Sequence, residues 1–184
     1  ATGEKVIAPL RTFIKPLADQ VKAMPYLKLQ TGGDEANAAG RNYYVKSGFV
    51  ESVDPRLLDA MTAGFSAAAG RTTVMVLQQL GGAIGRVRPD ATAFNHRKAS
   101  FDLLLLGSWE DPGQTPQHST WVKEFWTSLE SYTRGYYFNT SIGDSQDKVR
   151  ANFGANYPRL VKLKNRYDPG NLFRLNANVL PTAA

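Results

Sequence analysis

The stretch Thr72-Thr73-Val74-Met75-Val76-Leu77-Gln78-Gln79-Leu80-Gly81-Gly82 joins a β-branched, apolar run to a pair of glycines. Its length and composition predict a buried strand. The glycines turn or bulge the chain before Ile84 to Val87. Period-2 geometry places Val74, Val76, Gln78 and Leu80 on one face, so Gln78 inserts an amide into an otherwise apolar row. A buried amide needs hydrogen-bond partners. Gln78 is therefore either a satisfied structural residue or a hydrogen bonder facing a ligand.

Working outward, Asn42 to Val50 is rich in Tyr, Val and Phe and reads as a strand, Phe101 to Leu106 as a third, and Tyr136 to Asn139 as a short aromatic one. Alternation in that last segment sets Tyr137 and Asn139 on one face, Tyr136 and Phe138 on the other. Asp54-Pro55 opens a helix that Gly70 stops. Thr115-Pro116 opens another, whose Trp121, Phe125, Leu129 and Tyr132 share a face and which ends near Gly135. A final helix runs from about Gly154 to Arg166, halted by Asp168-Pro169. Near the start, Ile7, Leu10, Ile14, Leu17 and Val21 recur at helical steps, and Pro9 and Pro16 divide them into two short helices. Thr31 to Gly40 is a polar loop. Strands and helices mix without βαβ alternation, which predicts an α+β fold: a largely antiparallel sheet with helices packed on one face.

The 184 residues suit one domain, or a domain with a docking arm. Hydrophobic residues at 42% and charged residues at 21% exclude disordered, collagen-like and coiled-coil readings. An apolar run such as Leu103 to Leu106 is far too short to cross a bilayer. With no cysteine, disulfides, thiolate metal sites and cysteine nucleophiles are excluded together. Two histidines, His96 and His118, leave little room for a multi-histidine metal site, and no metal is expected. The formal charge of +6 draws on Arg159, Lys162, Lys164, Arg166 and Arg174, which read as the solvated face of a helix. Nucleic-acid binding is disfavoured, because the aromatics form no stacking platform among those charges.

Gln78 to Gly85 matches neither a dinucleotide fingerprint nor a phosphate loop. His96, in Thr92-Ala93-Phe94-Asn95-His96-Arg97, reads as a structural hydrogen bonder, with catalysis the minor alternative. Asn139-Thr140-Ser141 matches a glycosylation sequon by chance.

Taken together, Tyr157-Pro158-Arg159-Leu160-Val161-Lys162-Leu163-Lys164, Arg166-Tyr167-Asp168-Pro169-Gly170-Asn171-Leu172-Phe173-Arg174-Leu175-Asn176, Asn178 and Pro181 resemble the closing signature of berberine-bridge-enzyme-like oxidoreductases, within the vanillyl-alcohol-oxidase type of FAD-linked enzymes. Gln78 to Gly82, Thr92-Ala93-Phe94 with His96-Arg97, and Tyr137 with Asn139 resemble three further elements of that family in its order. Asn42-Tyr43-Tyr44-Val45-Lys46-Ser47 is similar to a more variable fourth.

The resemblance implies an FAD-dependent oxidoreductase that transfers a hydride from an alcohol, sugar, amine or secondary metabolite to flavin N5. Residues 1–150 would form the substrate-binding domain, incomplete at its N-terminal side. Residues 151–184 would form a helix and extended arm that dock on an FAD domain absent from this chain, which would hold most of the cofactor. The chain opens Ala-Thr-Gly without a leader, as a cut end would. By resemblance Asn139 contacts the flavin ring, Asn176 belongs to the cofactor contacts, and Gln78 faces substrate; Tyr44, Val76, Tyr137 and Trp109 supply an apolar and aromatic lining beside it. The family often has an aromatic after the asparagine, the base tyrosine of some carbohydrate oxidases, where this chain has Thr140. A threonine hydroxyl is a poor base, and Gln78 cannot take up a proton. Tyr137, on Asn139's face, is then the candidate base; a tyrosine, with a reference pKa near 10, needs burial and neighbours to tune it. The expected partners are a small organic substrate and the FAD domain, with a homodimer left open, in a cytoplasmic setting without nucleic acid or membrane. Two other readings stand beside this one: a non-catalytic ligand- or protein-binding module derived from such an enzyme, and a basic anion- or nucleic-acid-binding domain.

Overall fold

The computed structural model describes residues 2–13, 16–68, 72–140 and 145–182. They fall into two units, 1–39 and 40–184.

In the first unit, α1 (Thr2–Phe13) carries Pro9 within it, and α2 (Tyr26–Gln30) runs into a 3₁₀ turn over Thr31–Gly33. Arg11 ties the unit together, bonding Glu4 on its own helix and Asp19 beyond it. The second short helix expected after Pro16 does not form: residues 16–25 are non-helical, and Asp19 turns the chain by accepting the Val21 amide at 3.0 Å. Ile14 lies outside the described residues.

The second unit is built on β1 (Asn42–Val50), α3 (Pro55–Ser66), β2 (Thr72–Gln79), the single turn α4 (Ala83–Arg86), β3 (Phe101–Trp109), α5 (Thr115–Glu130), α6 (Gln146–Phe153) and α7 (Tyr157–Tyr167). The strands form one antiparallel sheet in the order β1-β3-β2. The α+β class holds.

Strand alternation divides the sheet cleanly. Leu103 and Leu105 of β3 and Val50 of β1 point into a core shared with Leu57 of α3 and with Val122, Phe125, Trp126 and Leu129 of α5. Leu57, Leu103, Leu105 and Leu129 are fully buried, each contributing roughly 1.5–3 kcal/mol. Gly107 permits the close approach of α5, since a Cβ there would lie 2.7 Å from Val122 Cγ2. Asp54 caps α3 by accepting the Arg56 amide at 2.8 Å, with Pro55 opening the helix. That helix ends at Ser66; Gly70 lies outside the described residues.

Two expectations for the second unit are corrected. β2 is an edge strand rather than a buried one: Met75 and Leu77 pack toward the core, while Val74 and Val76 remain 47% and 39% exposed, because the helices cover only one face. Tyr136 to Asn139 is not a strand; Phe138–Thr140 is a 3₁₀ turn. The last helix forms as expected, a 3₁₀ turn over Gly154–Asn156 leading into α7, while α6, capped by Ser145 accepting the Lys148 amide and ended by Gly154 (φ +52°), precedes it.

After α7, Asp168 accepts the amides of Leu172 (2.7 Å) and Phe173 (3.1 Å) and pairs with Lys164. The arm then returns to α7, where Asn165 and Thr182 bond reciprocally at 2.7 and 2.9 Å. No described helix is long and apolar enough to cross a membrane.

Candidate functional site

The face of the sheet away from α5 has a regular composition. Antiparallel register places Asp102 of β3 directly between Phe49 of β1 and Gln78 of β2. The next rung is Ser47–Leu104–Val76, and the one after it Val45–Leu106–Val74. Directly paired residues share a face, so this side carries an apolar surface with one carboxyl and one amide at its end.

At that end, Phe49, Gln78, Leu80, Ile84, Phe94, Arg97, Asp102 and Tyr137 line a cavity of about 360 Å³. An adjoining cavity of about 210 Å³ shares Phe94 and Tyr137 and adds Asn139, His96 and Phe138. Gln78 and Asn139 thus line neighbouring cavities with two walls in common. Tyr137 stands in both.

Tyr137 is held from both ends. Its amide donates to Ser47 Oγ at 3.0 Å, and its hydroxyl accepts from Asn139 Nδ2 at 2.7 Å. Thr140 Oγ1 lies 2.7 Å from Ser47 Oγ and 3.0 Å from the Tyr137 carbonyl oxygen. These bonds explain why the segment coils instead of pairing as a strand: a hydroxyl of β1 captures the amide that a strand neighbour would have used. Thr140, where the resemblance leads one to expect an aromatic, fastens this turn.

His96 is a structural residue. Its Nε2 donates to the Asn152 carbonyl (3.0 Å) and side-chain oxygen (2.8 Å), and its ring stacks on Phe49 with centroids 4.6 Å apart. The same Asn152 oxygen accepts the Tyr136 amide at 2.9 Å. Gly135, at φ +61°, passes so close that a Cβ would lie 2.3 Å from both Asn152 Oδ1 and the His96 ring. Arg97 turns away from salt bridging. It donates to the carbonyls of Phe94 (3.2 Å) and Ile84 (3.3 Å) and to Thr92 Oγ1, with its guanidinium over the Phe94 ring.

Asp102 is the residue that sequence reasoning missed. Its Oδ1 is buried without a hydrogen-bond partner among the described residues. Burial pushes its carboxyl up from 3.8 to about 6. A carboxylate beside Phe101 and ahead of four leucines reads as a strand edge; the register alone reveals its neighbours.

The remaining sequence-predicted residues divide. Val76 lies one rung from Gln78 and Asp102 on the same face but lines neither cavity. Tyr44 does not belong with them: it pairs with Gly107, on the α5 side, and packs against the core. Trp109 is likewise buried on that side, with its indole bonded to Thr115 and stacked on His118. Asn176 is exposed on the arm, in left-handed backbone (φ +62°), and lines neither cavity.

Solved structures share this α+β fold. Chitooligosaccharide oxidase superposes on 99% of this chain and 44% of its own, with a TM-score of 0.78 at 20% identity. A 6-hydroxy-D-nicotine oxidase from Arthrobacter nicotinovorans covers 97% of this chain and 41% of its own, with a TM-score of 0.74 at 21% identity. Likeness at this identity concerns the fold alone. In sequence, the uncharacterized FAD-linked oxidoreductase YgaK of Bacillus subtilis (strain 168) is 30% identical over 97% of the chain. Residues 136–180 match the family described as berberine and berberine like. The chain is thus similar to FAD-linked oxidoreductases along nearly its whole length and to berberine-bridge-enzyme-like proteins at its C-terminal end. It spans 40% of the length of YgaK and of a Dictyostelium discoideum FAD-linked oxidoreductase, and less of other curated relatives.

The residues present fit one side of a flavin ring. The sheet's open face offers apolar contact, and Tyr137 with Asn139 offers polar groups at its end. They do not include a phosphate loop, so the fit does not extend to the pyrophosphate.

Proposed function

We propose that this chain forms the substrate-facing wall of an FAD-dependent oxidoreductase acting on an organic alcohol, sugar, amine or secondary metabolite. The observation that carries the reading is the cavity at the end of the open sheet face, where Gln78, Asp102 and Tyr137 converge between Phe49 and Phe94. Polar groups converging in an otherwise apolar hollow are what orienting a small organic molecule requires.

When bound, FAD supplies the two-electron acceptor for a hydride leaving the substrate carbon. This chain's own residues bind and orient. Gln78 offers an amide donor and acceptor to substrate polar groups, and Val76 extends the apolar surface beside it. Tyr137, fixed at its hydroxyl by Asn139, presents its phenol to substrate, and Asn139 is the residue that would hold the flavin ring. Asn176, on the arm, contacts the cofactor from the C-terminal segment. The adenine and pyrophosphate are held by an FAD-binding partner domain. The exposed Leu172, Phe173 and Leu175 of the arm suit docking on that domain.

The test is anaerobic mixing of the FAD-loaded enzyme with a panel of hydroxyl-bearing and amine substrates, chitooligosaccharide among them. Bleaching of the oxidised-flavin absorbance supports the reading; a flavin that stays oxidised across the panel contradicts it. Tyr137→Phe divides the roles further, since an unchanged flavin reduction rate removes Tyr137 from proton transfer.

A further inference from the structure

We propose that Asp102 is the proton acceptor of this site, taking the hydroxyl or amino proton of the substrate as the hydride leaves. This rests on the oxidoreductase reading above and deepens it. Asp102 occupies the centre of the rung Phe49–Asp102–Gln78, on the open face; it lines the cavity there, and its Oδ1 is buried without a hydrogen-bond donor among the described residues. A buried carboxylate oxygen without a donor is costly and rare in a structural role. A substrate O–H or N–H entering the 360 Å³ cavity is the donor it lacks.

The neighbours leave this role to Asp102. The other charged or titratable groups lining the cavity are Arg97 and Tyr137. Arg97 is committed to two carbonyls and the Thr92 hydroxyl. Tyr137 already accepts from Asn139, which leaves its own proton to donate. Gln78 has no basic atom. A carboxylate accepts a proton without first losing one, which a phenol at neutral pH does not.

The step balances. The substrate's heteroatom–hydrogen bond breaks and its proton goes to Asp102. The freed electron pair closes the C=O or C=N bond. The two electrons of the C–H bond leave as hydride to the bound FAD, the oxidant that the family supplies. Burial places the carboxyl near 6, so the acceptor is ionised at neutral pH while remaining close enough to it to bind the proton well.

Two measurements test this. In the 184-residue chain with ¹³C-labelled aspartate, assigned with Asp102→Asn, the Asp102 carboxyl shift should titrate near pH 6; titration near 4 overturns the proposal. In the FAD-loaded enzyme, the panel substrate that reduces flavin fastest in wild type is followed against pH. Asp102→Asn should slow reduction by about 10²–10⁴-fold and abolish the acid limb near pH 6, and Asp102→Glu should recover part of both. If wild type reduces flavin and Asp102→Asn keeps its rate and pH profile, this inference fails while the oxidoreductase reading stands. If wild type fails with every substrate, the broader reading fails, and this inference with it.

Discussion

Replacing Asp102 with asparagine should make the chain more stable above pH 6. Burial raises the carboxyl from 3.8 to about 6, so the folded chain keeps this proton across a window, about pH 4 to 6, in which the unfolded chain has lost it. With more protons bound folded than unfolded, stability falls as pH rises through that window and levels off above it. A shift of about two units corresponds to at most about 3 kcal/mol. The side chain is only half-buried, so solvent screening reduces this to about 1–2 kcal/mol. Asparagine has nearly the same shape and no charge to desolvate. At pH 8 the variant should be more stable by that amount, raising Tm by about 2–8 °C for a chain of this size. At pH 4 the two proteins should coincide. Asp54, Asp90 and Asp168, whose partners lower their pKa values, act oppositely: their stabilisation is present above the ordinary carboxylate range and is lost as pH falls. They are common to both proteins, so the difference isolates Asp102. Urea unfolding from pH 4 to 8 is the assay. Two stability curves separated by a constant offset would refute the reasoning.

Ser47→Ala removes the hydroxyl that fastens the Tyr137 turn and should cost about 1–3 kcal/mol by chemical denaturation. Leu105→Ala opens a cavity between the sheet and α5 and should cost 2–5 kcal/mol in the same assay. Gly135→Ala drives a methyl into Asn152 and His96 from left-handed backbone, and the loss should be about 2 kcal/mol or more. Asp168→Ala releases the Leu172 and Phe173 amides; the arm should be cleaved severalfold faster in limited proteolysis while the sheet stays protected.

The strands from Asn42, Thr72 and Phe101 were legible because their apolar content is dense and bounded by turn residues. Alternation also identified Gln78's face. It does not show which face the helices cover, so composition alone groups Tyr44 and Trp109 with Gln78, although their parity in the register puts them across the sheet. The same ignorance of register hid Asp102, whose meaning comes from standing between Phe49 and Gln78. Tyr137 and Asn139 were paired correctly by strand reasoning, although a 3₁₀ turn brings them together. That turn depends on Ser47, 90 residues away, and no local pattern reports such a contact.

The most direct measurement is a structure of the FAD-loaded enzyme with a non-reacting, hydroxyl-bearing substrate analogue. The account places the analogue on the open face of the sheet, against Val76 and Phe94, with its hydroxyl about 3 Å from Asp102 and within reach of Gln78. An analogue seated elsewhere, with the Asp102 face sealed beneath another part of the protein, would contradict it.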